Sequence, residues 1–253
     1  MSTPVRLEER DGVLLLWLDR GANALDLAAI VALDTTIGDL SRSTSAPALV
    51  LTSSHPSVFC PGLDLKALDG QPRQGIRDVL SAFNAMVRRL ATYPGPAVAA
   101  VAGHAIAGGC LLALACDRRV MARSGARIGL SEVNLGFPVP AGAVAMLLAL
   151  YPTRAVEQLV LEGDGFGGER ALELGLVERL ADTPAVLAEA CWQARHLASR
   201  PARAYAAAKA FLRHRLAATM AQRDEEEMEG FLDLWFDPQT QDRIGALLAS
   251  MGR

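Results

Sequence analysis

From Val13 to about residue 180 the chain alternates short apolar runs with segments of helical period, and that alternation restricts it to a layered α/β fold. Val13–Leu18 (VLLLWL) follows the turn pair Asp11-Gly12, and with Val5–Glu8 before it reads as a β-hairpin. Leu25–Leu40 spaces Leu27, Ile30, Leu33 and Ile37 along one helix face, with Asp26 as its N-cap. Ala48–Thr52 and Ala97–Val101 are apolar throughout and read as buried strands, and Arg119–Met121 and Arg127–Gly129 as short ones. Val79–Leu90, Gly108–Cys116, Ala141–Leu150 and Arg154–Leu161 carry the intervening helical pattern. After Pro184 only helices remain, over Ala185–Ala198, Pro201–Met220, Glu225–Asp233 and Pro238–Met251. The expected organisation is therefore an α/β core over residues 1–190 and a helical region over 191–253. That region is too thin for a core of its own, so it packs on a neighbouring subunit or back over the α/β core. The acidic run Asp224–Glu227 reads as a solvated helix start.

Charge and targeting exclude several functions. The formal net charge is −3 and there is no basic arm, which argues against a nucleic-acid partner. The longest apolar stretches, Pro96–Ile106 and Cys110–Cys116, fall short of the ~20 residues that span a bilayer, so no membrane association is expected. The N-terminus lacks the apolar core of a signal peptide, which points to the cytoplasm. Cys60, Cys110, Cys116 and Cys191 form no C-x-x-C pair, and His55, His104, His196 and His214 are scattered, so no metal site is expected. Of 25 basic residues only Lys66 and Lys209 are lysine.

Three segments carry more than packing requires. Phe59-Cys60-Pro61-Gly62-Leu63-Asp64-Leu65 places a Pro-Gly turn after a strand, which leaves backbone N–H groups facing outward. Ala102–Cys110 (AGHAIAGGC) brings Gly108-Gly109 to the start of an apolar helix, where a ligand approaches backbone amides with the helix dipole behind them. Ile128–Gly136 (IGLSEVNLG) puts one carboxylate, Glu132, in an apolar setting. Backbone donors hold a developing oxyanion, and a carboxylate in a dry pocket has raised proton affinity and serves as base, then acid. Together they suit proton abstraction beside a carbonyl. Each piece also has a packing reading, from a common Pro-Gly turn to close helix–strand contact at Gly108-Gly109. Another chemistry competes: a Cys/His acyl hydrolase using Cys60 or Cys110 with His104.

FCPGLDL, AGHAIAGGCLLALACD and IGLSEVNLGF, in that order and with Asn23-Ala24-Leu25 and Arg170–Val177 (RALELGLV), resemble the enoyl-CoA hydratase/isomerase (crotonase) superfamily. The resemblance implies a spiral of ββα units, a C-terminal helical region that mediates trimerisation, and an acyl-CoA thioester substrate. It implies an oxyanion hole from the N–H groups of Leu63 and Gly108, and Glu132 as the catalytic residue. Substrate and CoA contacts are implied at Pro61, Gly62, Asp64, Leu65, Lys66, Gly109, Leu111 and Ser131. Hydratases of the superfamily use two glutamates, and the first of those positions is Leu111 here. GGCLLAL followed by IGLSE, with the later Gln222-Arg223-Asp224, is similar to delta-3,delta-2-enoyl-CoA isomerases, which shuttle one proton from C2 to C4 with a single glutamate. Pro61 stands where alanine is usual and Ser131 where those isomerases have asparagine. The expected protein is thus an isomerase of acyl-CoA metabolism, a homotrimer or dimer of trimers, with coenzyme A as part of the substrate and no separate cofactor. The alternatives are hydration, thioester hydrolysis, or an acyl-CoA-binding protein without catalysis. Lys66 is the nearest cation for the CoA phosphates, and Lys209 or Arg213 would serve a neighbouring site.

Overall fold

A computed structural model describes residues 4–43 and 46–251. Residues 1–3 and 252–253, at the ends of the two expected units, lie outside the described residues. The strands are β1 (Val5–Arg10), β2 (Val13–Leu18), β3 (Leu49–Ser53), β4 (Val58–Cys60), β5 (Ala97–Val101), β6 (His104–Ile106), β7 (Arg118–Ala122), β8 (Arg127–Gly129), β9 (Gly165–Gly167) and β10 (Arg179–Ala181). The helices of the first part are α1 (Leu27–Ser41), α2 (Leu65–Leu68), α3 (Arg73–Ala91), α4 (Gly108–Ala115), α5 (Glu132–Leu135), α6 (Ala141–Leu150), α7 (Thr153–Leu161) and α8 (Gly168–Glu173). Then follow α9 (Val186–Ala198), α10 (Ala202–Leu212), α11 (Leu216–Trp235) and α12 (Pro238–Met251).

The strands divide between two sheets, one in the order β1-β2-β3-β5-β7-β10 and a smaller one in the order β4-β6-β8-β9. Each consecutive pair β3/β4, β5/β6 and β7/β8 sends its first strand to the large sheet and its second to the small one, and a helix follows. Repetition of that ββα step winds the chain into the expected spiral. The switch between sheets is tight. Only Ala102-Gly103 separates β5 from β6, and a Cβ on Gly103 would lie 2.3 Å from the backbone carbon of Ser57. β5 (AVAAV) is buried throughout, because α9 packs across β3, β5 and β7. Its alanines bring sheet and helix close. No described helix is long and apolar enough to cross a membrane.

The hairpin, α1 and its Asp26 cap form as the sequence predicts, with Ala29 N–H donating to Asp26 Oδ1 at 2.8 Å. β4, β6, β9 and β10 have three residues each, too few to show a period. α3 begins at Arg73, six residues before the apolar pattern, because its first turns are polar. The helix expected over Pro201–Met220 breaks at Arg213, and α11 then runs unbroken to Trp235. Asp224–Glu227 therefore lies inside a helix rather than at its start. Asp224 is largely covered there and accepts from Gly142 N–H at 2.8 Å, capping α6 from across the structure.

The C-terminal helices return over the core. α11 packs on α3 and α6, and α12 on α2 and α5. α10 is tied down by a buried ion cluster. Lys209 Nζ reaches Asp117 Oδ2 at 2.6 Å and Gly95 O at 3.0 Å, and Arg213 reaches Asp117 Oδ1 at 3.0 Å. Asp117 Oδ2 also accepts from the Ala97 N–H that opens β5, at 2.9 Å. Lys209 is 7% exposed, and both cations are committed to Asp117.

Candidate active site

The small sheet delivers three loops to one place, because β4, β6 and β8 lie side by side and parallel. β4 continues into Pro61, Gly62 and Leu63. Gly62 has φ +98°, and a Cβ there would lie 2.8 Å from Gly108 N, so the left-handed turn and the close approach both demand glycine. Leu25 forms a parallel bridge with Leu63: Leu25 N–H donates to Gly62 O at 2.9 Å, and Asp64 N–H donates to Leu25 O at 3.0 Å. In that pattern the N–H of Leu63 lies on the opposite edge of its strand and is left without a backbone acceptor among the described residues.

The second donor comes from β6. Ala107 turns the chain with φ +50° and is fixed by its N–H to Gly129 O at 2.8 Å. α4 then starts at Gly108, whose N–H is one of the helix's unsatisfied first donors. A Cβ on Gly108 would meet the Phe83 ring at 3.0 Å. Gly109 faces the other way, and its Cβ would sit 2.0 Å from Cys60 O. Gly109→Ala should therefore push α4 off β4 and cost about 1–3 kcal/mol as overpacking, read as a lower Tm. Gly230→Ala, with nothing within 4 Å in α11, should leave Tm unchanged or raised.

Glu132 is the first residue of α5, directly after β8 and Ser131. It is 6% exposed, and its Oε2 has no hydrogen-bond partner. Burial pushes its carboxyl up to about 7, against the opposing pull of nearby backbone N–H groups. Gly136 ends α5 with φ +106°, and a Cβ there would strike Thr240 of α12 at 2.3 Å. The C-terminal helix thus packs directly behind the Glu132 turn.

These groups line one cavity of about 580 Å³. Pro61, Leu63, Asp64, Leu65 and Lys66 form one side of it, and Gly108, Ser131 and Glu132 the other. Gly62, Gly109 and Leu111 stand behind the wall, with Leu111 0% exposed. The Asp64 carboxylate is committed to α2, accepting from Lys66 N–H at 3.0 Å and Ala67 N–H at 3.2 Å. Among the described residues Glu132 is then the one lining carboxylate not committed to a helix cap. Lys66 stands exposed at the cavity with no ion pair among the described residues. A larger cavity of about 710 Å³ adjoins and shares Leu80, Pro140 and Phe231 with the first.

Sequence reading missed the aromatic wall and the helical roof. Phe137 packs on Trp235 at 4.9 Å and on Phe231 at 5.5 Å between ring centroids, and Leu247, Leu248 and Met251 of α12 close the cavity. The available clue was apolar spacing along α12. The thiols do not fit a nucleophile. Burial pushes Cys60 up to about 12 and Cys110 well above its ordinary value, and no hydrogen bond joins either to His104 among the described residues. Two N–H donors without backbone acceptors on one cavity, with one carboxylate of raised proton affinity, can stabilise an oxyanion and carry a proton.

The family model described as "Enoyl-CoA hydratase/isomerase" matches residues 8–243. The structure of human mitochondrial delta3-delta2-enoyl-CoA isomerase superposes with a TM-score of 0.92 over 98% of both chains, at 26% identity. Methylglutaconyl-CoA hydratase of Homo sapiens is 29% identical over 177 residues, 69% of this chain and 52% of the relative. The match thus spans about half the length of that relative. The short-chain-enoyl-CoA hydratase of Clostridium acetobutylicum is 30% identical over 180 residues, 70% of this chain and 69% of the relative.

Proposed function

The chain belongs to the enoyl-CoA hydratase/isomerase family, and from that premise we propose that it shifts the double bond of a 3-enoyl-CoA to the 2-position. The thioester oxygen lies between the N–H groups of Leu63 and Gly108. Glu132 removes a proton from C2, the electron pair moves into the conjugated dienolate, and its charge rests on the thioester oxygen. Glu132 then returns the proton to C4, so the carboxylate is regenerated and no water is consumed. Lys66 meets CoA phosphate at the cavity mouth, and the acyl chain runs toward Leu80, Pro140 and Phe231. Coenzyme A enters as part of the substrate. The chain works as a homotrimer or a dimer of trimers in cytoplasmic acyl-CoA metabolism.

One observation carries this reading: among the described residues the cavity is lined by two carboxylates, Asp64, which caps α2, and Glu132, whose Oε2 is unpartnered, and fully buried Leu111 supplies no second acid or base. Hydration needs a group to hold and deprotonate water, whereas a double-bond shift needs one group that takes and returns the same proton. The test is to offer 3-enoyl-CoA and 2-enoyl-CoA separately. Rapid conjugation of the first with little hydration of the second supports isomerisation, and efficient hydration of the second defeats it.

The proton affinity of Glu132 sets a pH dependence. Only the ionised carboxylate abstracts a proton, and its value is about 7. The kcat/KM for 3-enoyl-CoA should therefore rise with pH and level off above about 7, as initial rates across a buffer series would record.

A further inference from the structure

We propose that Asn23 is the positioning residue for the Leu63 oxyanion donor, an inference that rests on the oxyanion role given to Leu63 above. Asn23 lies in the loop between β2 and α1, is 4% exposed, and has φ +63°. Asparagine enters that region more readily than other side-chain-bearing residues, and here its surroundings fix it further. Those surroundings are the elements that lead to Leu63. The Asn23 amide Nδ2 donates to Ser53 Oγ at 2.8 Å, at the end of β3, and to Phe59 O at 3.2 Å, in β4. Its Oδ1 accepts from Arg20 N–H at 3.1 Å, and its backbone carbonyl accepts from the Cys60 thiol at 3.2 Å. Ser53 Oγ donates onward to Val58 O at 2.6 Å.

The β4 loop is thereby clamped twice by one short segment. Asn23 holds Phe59 and Cys60, and two residues later Leu25 holds Gly62 and Asp64. Leu63 sits between the hydrogen bonds of the second clamp, so its N–H direction follows the position of the Leu25 strand. The Gly108 donor is fixed independently, by Ala107 N–H on Gly129 O. Loss of the Asn23 amide therefore lets one donor move relative to the other. The backbone conformation alone does not require asparagine, because glycine adopts φ +63° without strain. What asparagine adds is the amide.

That distinction selects Asn23→Gly, which keeps the turn and the backbone carbonyl on Cys60 and deletes the amide's bonds to Ser53, Phe59 and Arg20. Saturated hexanoyl-CoA, ¹³C-labelled at the thioester carbonyl, reports the oxyanion hole by difference infrared spectroscopy, since paired donors polarise the carbonyl and lower its stretching frequency. The expected wild-type result is a lowered stretch on binding. In Asn23→Gly the stretch moves back toward its solution value, and kcat on 3-enoyl-CoA falls about 10–10²-fold with little change in KM. Should Asn23→Gly not fold, Ser53→Ala removes one of the two acceptors and should shift the stretch the same way by less. An unchanged stretch in the folded variant overturns the proposal, as does a wild-type carbonyl that is not lowered. Because the probe does not react, absence of 3-enoyl-CoA turnover in the wild type defeats the isomerase reading alone.

Discussion

Glu132→Gln is expected to lower turnover of 3-enoyl-CoA by about 10²–10⁴-fold, the contribution of a positioned acid–base group, while folding and acyl-CoA binding persist. Glutamine keeps the shape of the side chain but cannot cycle a proton. The change strands no partner of Oε2, which bonds to nothing, and the amide oxygen of glutamine can still accept from the backbone N–H groups nearby. The donors at Leu63 and Gly108 remain, so residual activity should exceed the uncatalysed rate. Stability should move in the opposite direction. The folded-state proton affinity, about 7, lies above the ordinary value of 4.5. Stability from this group is then fully present below about 4.5 and is lost as pH rises through about 7. Glutamine carries no such loss, so the variant should melt above the wild type at pH 8, with the gap closing below pH 5. Steady-state kinetics and Tm across pH check both halves. A variant that keeps more than a tenth of wild-type turnover would remove Glu132 from the mechanism.

The local chemistry of the site was readable because it is written in contiguous residues. Pro61-Gly62, Gly108-Gly109 and the isolated carboxylate of Glu132 each declare a turn, a close approach or a dry acid over a few positions. Burial of Glu132 was not readable, since Trp235 and Leu248 of the enclosing wall lie in helices about a hundred residues downstream. The sheet switch at Gly103 was hidden for the same reason: Ser57, which crosses it, belongs to another unit. Charge misled twice. Asp224 stands in an acidic run that reads as solvated, yet its partner is the Gly142 amide. Lys209 and Arg213 read as free cations, yet both meet Asp117. Sequence pattern reports how many charges lie along a helix and not what another element brings against them.

Asp117→Ala should destabilise the fold by about 3–5 kcal/mol, because it strands two cations that are already out of water. Lys209 is buried and Arg213 nearly so, and burial, with the Arg213 charge beside it, holds the Lys209 ammonium below its ordinary proton affinity against the pull of Asp117. Without the carboxylate, Lys209 keeps only Gly95 O and Arg213 only Ala91 O. The Ala97 amide at the head of β5 loses its acceptor as well. The damage should reach the active site through α11 and α12, which follow α10 in the chain and supply Phe231, Trp235 and Leu248 to the cavity. Replacing Lys209 separates this account from a phosphate-binding one. If Lys209 met CoA, Lys209→Met would raise KM for the CoA thioester, leave KM for the truncated pantetheine thioester alone, and spare Tm. The buried cluster predicts the reverse: a lower Tm, and equal effects on both thioesters. A Tm within one degree of wild type, with KM raised only for the CoA ester, would show that the Asp117 contact does not anchor α10.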